Sequence, residues 1–163
     1  MENITMIAAT GKNNELGKDN DLIWHLKEDM QFFRENTIGK PIIMGLNTFY
    51  SLPHLLKDRQ HIILTHREID EDNIFVFHDI YKLLSFIEYY KDEVMVIGGA
   101  SIYSQFIEYA NKMLLTEIDQ EDKDADVFFP YFNEEEWDKT ILKKVNENNI
   151  NYNHIKYVRK LSK

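Results

Sequence analysis

The 163-residue chain contains no cysteine. Disulfides, thiolate metal sites and thiol catalysis are excluded, and with them a disulfide-stapled secreted scaffold. Positive charge is scarce: 19 basic residues, of which only Arg34, Arg59, Arg67 and Arg159 are arginine, face 28 acidic ones for a formal charge of −9. Such a balance opposes a surface built to hold nucleic-acid phosphates. No apolar run approaches the ~20 residues of a membrane span. The start, Met1-Glu2-Asn3-Ile4-Thr5, lacks a basic region followed by an apolar one, so Asn3-Ile4-Thr5 reads as a chance glycosylation sequon. A cytoplasmic protein with no nucleic-acid or membrane partner is expected. The three prolines and six glycines form no linker and no repeat is visible, so a single domain over residues 1–163 is expected, long enough for a sizeable core.

What is present is an alternation of two hydrophobic periods. Short β-rich apolar runs at Ile4 to Ala9, Ile42 to Met44, His61 to Thr65, Phe75 to Phe77, Val94 to Ile97 and Lys112 to Ile118 predict buried strands. Between them, Leu26, Met30 and Phe33, then Ile80, Leu83, Leu84 and Ile87, then Ile102, Phe106 and Ala110 recur at helical spacing. The alternation predicts an α/β domain, a mostly parallel central sheet flanked by helices. After Phe129-Pro130, runs from Trp137 to Val145 and Tyr152 to Leu161 flank an asparagine-rich turn, which predicts a C-terminal antiparallel hairpin at the sheet edge. The polar stretch Thr10 to Ile23 follows neither period, and loops of that length in compact domains are commonly functional lids.

Several familiar patterns fall short. Asp122-Lys123-Asp124-Ala125-Asp126 alternates acids as a calcium loop does, but Val127 replaces the sharp-turn glycine and Asn133 the final acid; a solvated turn is expected. Gly11-Lys12 is followed by Asn13, which is no Walker loop. None of the six histidines is paired at i, i+4, so no metal is expected.

Three features suit chemistry. Asp29 shares a helix face with Leu26, Met30 and Phe33, so a carboxylate interrupts an apolar stripe. Either it anchors a cationic or donor-rich ligand, or the face is incompletely buried and Asp29 is a first-turn acid favoured by the helix dipole. Val94-Met95-Val96-Ile97-Gly98-Gly99-Ala100-Ser101 is a strand ending in paired glycines before a helix, the geometry of an anion cradle or simply of a tight turn. Pro41-Ile42-Ile43-Met44-Gly45-Leu46-Asn47-Thr48-Phe49 repeats that geometry. Two such junctions favour a dinucleotide site, and Arg59 and Arg67, flanking the His61 to Thr65 strand, are either ligand-binding cations or surface charge.

In combination these stretches resemble the bacterial dihydrofolate reductases. The resemblance is carried by Ile7-Ala8-Ala9, by Leu16-Gly17-Lys18-Asp19-Asn20-Asp21-Leu22-Ile23-Trp24-His25-Leu26 with Asp29 and Phe33, by Lys40-Pro41-Ile42-Ile43-Met44-Gly45 with Thr48, by Ile97-Gly98-Gly99 with Tyr103, and by Leu115-Thr116 and Phe128-Phe129-Pro130. It runs in order along nearly the whole chain. It implies reduction of dihydrofolate to tetrahydrofolate with NADPH, serving one-carbon and thymidylate metabolism, by hydride transfer to the pteridine and protonation of the adjacent imine nitrogen. Asp29 would bind the pteridine, with Thr116 as its partner. Ile7, Ala9, Met30, Phe33, Leu52, Leu56, Ile97 and Tyr103 would wall the substrate pocket, and Arg59 would pair with the glutamate-tail carboxylate. Leu22 and Trp24 would belong to the mobile lid. Ala9, Leu16, Gly17 and Asn20 would line the NADPH site together with Gly45, Leu46, Asn47 and Thr48. Leu64, Thr65, His66 and Arg67 would join them, as would Ile97, Gly98, Gly99, Ala100, Ser101, Ile102, Tyr103 and Gln105. A cis peptide between Gly98 and Gly99, a monomeric state and antifolate binding follow from the same resemblance.

The chain departs from the family at four places. Ile23 replaces a proline before the tryptophan, Leu46 an arginine that helps hold cofactor phosphates, Ser101 an arginine and Ala125 a glycine. His66 and Arg67 are placed to compensate for Leu46 at the ribose phosphate. Two other readings are a related reductase domain of riboflavin synthesis and an idle pterin- or nucleotide-binding module. Asp29, Phe33 and Arg59 speak against the first, and Asp29 with Gly98-Gly99 against the second.

Overall fold

The computed structural model describes residues 3–18 and 21–161. In chain order it contains β1 (Ile4–Thr10), β2 (Glu15–Lys18), β3 (Asp21–Leu22), α1 (Lys27–Thr37), β4 (Pro41–Met44), α2 (Leu46–Ser51), β5 (Gln60–Leu64) and β6 (Ile74–Phe77). There follow α3 (Ile80–Tyr90), β7 (Val94–Gly98), α4 (Ala100–Phe106), β8 (Lys112–Ile118), β9 (Val127–Phe128), β10 (Trp137–Glu147) and β11 (Ile150–Arg159). The central apolar runs become strands because both of their faces find apolar cover, whereas edge strand β6 leaves Phe75 51% exposed. All four residues of β4 are buried, as are Val94, Met95 and Val96 of β7. The helices form where a cap and a stripe coincide: Asp79 accepts from the Tyr81 amide at the start of α3, Leu83 and Ile87 bury one face, and Lys91 ends it at a positive φ.

The main sheet runs β10-β11-β8-β1-β7-β4-β5-β6. From β8 to β6 every pairing is parallel, and only β11 on β8 and β10 on β11 are antiparallel. The chain crosses from β1 to β4 through α1 and later returns through α3 to insert β7 between them, so the connections diverge above β7. Crevices of this kind, at the carboxyl ends of parallel strands, are where open α/β sheets bind ligands. At the opposite end Glu93 ties four strands together. Its carboxylate accepts from Thr5 Oγ1 at 2.5 Å and Lys40 Nζ at 2.6 Å and pairs with Lys112 Nζ at 2.8 Å.

Three expectations need correction. Thr10 to Ile23 is no featureless loop, because β2 and β3 lie within it and pair with each other, and β2 also pairs with β9. These strands are too short and too interrupted by polar residues to show a period, and the partner is distant in sequence. The hairpin turn is only Asn148-Asn149, both at positive φ, so the strands continue into the asparagines, and β11 stops at Arg159 rather than Leu161. Ala110 is buried but lies beyond α4. Among the described residues no helix is long and apolar enough to cross a membrane.

Candidate active site

Parallel strands deliver residues at or near their carboxyl ends to one rim: Ala9 from β1, Gly45 after β4, Thr65 after β5, Gly98 from β7 with Gly99 after it, and Thr116 from β8. α1 crosses this rim, yet Thr37 is its one fully buried residue. The stripe that includes Asp29 is therefore partly open to solvent at the carboxyl ends of the strands rather than sealed in the core. Phe32, Phe33, Leu52, Leu56 and Ile97 are partly buried against a cluster that includes Ile7. Met30, expected in the pocket wall, is 62% exposed.

Asp29 decides the chemistry of the cleft. Thr116 Oγ1 donates to its Oδ1 at 2.6 Å. Burial pushes the Asp29 carboxyl above the usual carboxylate range, the Thr116 hydrogen bond opposes this, and Glu147 adds to the rise. A partly buried carboxylate with one oxygen held by Thr116 suits a ligand presenting adjacent N–H donors.

The two glycine junctions meet. The Gly45 amide donates to the Gly98 carbonyl at 2.9 Å, joining the ends of β4 and β7. A Cβ on Gly45 would come within 3.1 Å of Ile102, and one on Gly99 would sit 3.5 Å from Thr48 Oγ1. Gly98 has φ +117 and carries Tyr103 against it, where a Cβ would be 3.1 Å from the ring. The Gly98–Gly99 peptide is cis. The Tyr103 hydroxyl donates to the Ile7 carbonyl at 2.6 Å, and burial raises its pKa. Neither Gly45 nor Gly99 gives a side-chain cap to the helix that follows, leaving α2 and α4 with backbone amides at the rim.

The remaining expected residues fall into place unevenly. Leu16, Leu64 and Ile102 are buried in the core, and the Ile102 side chain backs Gly45 at the rim. Asn47, Ser101 and Gln105 are exposed, Leu46, Thr48 and Ala100 are half-buried, and Gln105 Nε2 donates to Ser101 Oγ at 3.3 Å. His66 and Arg67 are exposed after β5, where the Arg67 amide donates to Thr65 Oγ1. Asn20 lies outside the described residues. Leu22 is 56% exposed, while Trp24 and Ala9 pack against the buried cluster of Leu26, Ile118 and Tyr152. Gly17 accepts through its carbonyl from the Asp126 amide at 3.2 Å, which sets the acidic 122–126 turn against the lid.

Arg59 is half-buried and held by three hydrogen bonds: Nε to Thr37 Oγ1 at 2.8 Å, Nη1 to the Lys57 carbonyl at 2.6 Å and Nη2 to the Arg34 carbonyl at 3.3 Å. Three of its five donors are used, which fixes the direction of the others.

Sequence reasoning missed three positions. His61 is buried and accepts from the Leu56 amide through Nε2 at 3.0 Å, so its Nδ1–H donates to the Arg59 carbonyl at 3.1 Å. It pins the segment that carries both expected ligand residues. Buried Glu15 accepts from the Asn13 amide at 2.6 Å and the Asp122 amide at 2.7 Å, fastening the lid base to the 119–126 segment. His154 contacts Thr116 from behind. A continued period-two reading of β11 could have found His154 as an inward residue, but its partner depends on strand register.

The family model for dihydrofolate reductase matches residues 3–159. This chain belongs to the dihydrofolate reductase family. Similar proteins include the dihydrofolate reductase of Haemophilus influenzae, 40% identical over 134 residues, 82% of each chain. That of Buchnera aphidicola from Acyrthosiphon pisum is 38% identical over 148 residues, 90% of this chain and 91% of the relative. The Bacillus subtilis dihydrofolate reductase is 36% identical over 138 residues, 82% and 79% of the two chains. Family membership and the cleft agree: the match spans the strands that deliver Ala9, Gly45, Gly98 and Thr116 and the helix that delivers Asp29.

Proposed function

We propose that this protein reduces dihydrofolate to tetrahydrofolate with NADPH as its preferred cofactor. The observation that carries the reading is Asp29, a carboxylate supported by Thr116 beneath an apolar cleft. The nicotinamide group supplies the hydride when bound, and positioning and proton control fall to the protein. Ionised Asp29 would accept from the pteridine's amino and ring N–H groups, and its charge would raise the basicity of the nearby imine nitrogen. Half-buried Phe33, Leu52, Leu56 and Ile97 would hold the ring system and exclude water, and Arg59 would meet the anionic tail. Antifolates would compete for the same cleft.

The fit of a nicotinamide dinucleotide is supported by the joined glycine junctions, where Cβ atoms on Gly45 and Gly98 would press on Ile102 and Tyr103, and by the uncapped starts of α2 and α4. His66 and Arg67 would take the ribose phosphate in place of the arginine that Leu46 replaces. The test is the loss of NADPH absorbance on adding dihydrofolate, with NADH in parallel and Asp29→Asn as control. Rapid oxidation is expected, at least ~100-fold slower in Asp29→Asn at neutral pH with partial recovery in acid, where the substrate carries its own proton. Unchanged turnover in the variant defeats the role given to Asp29, and equal efficiency with NADH defeats the role given to His66 and Arg67.

A further inference from the structure

Behind Asp29 the fold buries a titratable ring that the folate reading leaves without a role. β11 pairs with β8 in the register that sets His154 opposite Thr116, and His154 is 3% exposed. Its ring lies flat on Phe32 of α1, centroids 4.0 Å apart and planes 8° from parallel, with Tyr152 edge-on at 5.6 Å. These neighbours hold the ring so that Nδ1 is 2.8 Å from Thr116 Oγ1. The same oxygen is 2.6 Å from Asp29 Oδ1, and Nδ1 itself is 3.9 Å from Oδ1.

Counting protons orders the three groups. A hydroxyl has one proton to give, and an ionised carboxylate only accepts. While Asp29 is ionised, the Thr116 proton must point at Oδ1, so Oγ1 must accept from the ring: His154 Nδ1–H donates to Thr116, and Thr116 O–H donates to Asp29. A further proton taken up at Nε2 makes imidazolium and carboxylate. Two transfers, Nδ1 to Oγ1 and Oγ1 to Oδ1, then give a neutral ring and a protonated Asp29, with the hydroxyl reversed and no charge created.

We propose that His154 is a positioning residue for Asp29, aiming the Thr116 hydroxyl at the carboxylate and sharing one proton with it through that hydroxyl. Its consequence for turnover rests on the folate reading; the proton sharing rests on the geometry alone. The groups around the ring are Asp29 and Glu28 on α1, Thr116 on β8, Lys143 on β10, which binds Glu28 at 2.7 Å, and Glu147 at the end of β10. Glu147 accepts from the Lys27 and Glu28 amides and from the Tyr152 hydroxyl, so its charge is directed at the start of α1. Burial lowers the pKa of His154, with Glu28 opposing and Lys143 assisting, while burial raises that of Asp29. A pair titrates as a unit when its members interact strongly, and here the shared Thr116 hydroxyl and the 3.9 Å between Nδ1 and Oδ1 provide that contact.

Two variants separate the roles. His154→Asn places an amide nitrogen roughly where Nδ1 stands but cannot take a second proton, whereas His154→Phe keeps an aromatic stack on Phe32 and donates nothing. Ring-nitrogen and carboxyl-carbon NMR titrations of the whole protein without substrate are read beside the pH profile of kcat/KM. In the unaltered protein, Nδ1 is expected to be protonated at neutral pH, and the Asp29 carboxyl to titrate in steps that also appear at His154. In His154→Phe the Asp29 titration is expected about one pH unit higher, with the kcat/KM profile displaced in step. In His154→Asn it is expected as a single step, with kcat within about threefold of the original. A bare Nδ1 at neutral pH, coincident Asp29 titrations in all three proteins, or a uniform loss of activity with an unmoved profile each overturns the proposal. If the unaltered protein oxidises no NADPH with dihydrofolate, the folate reading fails, and the NMR titrations still decide the proton sharing.

Discussion

Asp29 ionises at the expense of the fold. Its folded pKa is raised, so its contribution to stability is full below the ordinary carboxylate range and is lost as pH rises through the raised value. Asp29→Asn is therefore expected to melt a few degrees higher at neutral pH, roughly 2–4 °C per kcal/mol for a chain of this size, with the gain vanishing in acid. Thermal melts at the two pH values check this. His61 has the opposite sign: burial lowers its pKa, so its stability contribution is present above the ordinary imidazole range and falls as pH drops below it. Charging the ring also ends its acceptance of the Leu56 amide. His61→Phe is expected to raise KM for dihydrofolate severalfold with kcat little changed, because the pinned segment carries Leu56 and Arg59 while Asp29 is untouched. Steady-state kinetics decide it, and an unchanged KM rules out the pinning role. Asp29 could be singled out from sequence because helical spacing alone exposes a carboxylate in an apolar stripe. His61 and His154 could not, because a histidine's role depends on which backbone or hydroxyl lies across the sheet.

Elements show the same division. The strands from β1 to β8 in the main sheet were legible because each is apolar on both faces. β2, β3 and β9 were not, since their pairing is long-range and their residues polar. Gly11 sits where these pieces converge: an added Cβ would lie 2.6 Å from both Glu15 Oε1 and Trp24 Cη2 and 3.0 Å from the Gln120 carbonyl. Gly11→Ala must displace the Trp24 ring or the Glu15 carboxylate that holds the Asn13 and Asp122 amides. It is expected to lower thermal stability and to shift the Trp24 fluorescence, with turnover reduced through the lid. At the other end of the sheet burial alone would raise the Glu93 pKa, but Lys112, Lys40 and Thr5 outweigh it and hold the carboxyl at about 2. Its contribution is present above the ordinary carboxylate value and lost as pH falls toward 2. Glu93→Gln is expected to destabilise at neutral pH, on the order of 2 kcal/mol, and to flatten the acid limb of the stability curve.

Across the whole molecule, stability is graded from centre to edge. β1, β4, β7 and β8 are covered on both faces, whereas β6 and β10 each lack a neighbour on one side. Hydrogen exchange is expected to be slowest in β1, β7 and β8, and faster in the 12–14 turn and the outer half of β10. Slowing of the lid amides on adding NADPH would place the cofactor beside them. The overall α/β order was legible because it needs only the alternation of periods, while the insertion of β7 between β1 and β4 was not, because periodicity says nothing about which strand lies beside which.

The outermost strand also bears on how the protein behaves in a crowded solution. β10 carries exposed Lys139, Lys143 and Lys144, and its pairing with β11 is broken between Ile141 and Lys143, which bends the strand at Leu142. A second chain approaching with a flat strand meets a kinked edge of exposed charged side chains that offers poor register for continued pairing. Straightening this edge by deleting Leu142 would remove that guard and invite filament growth through the hairpin.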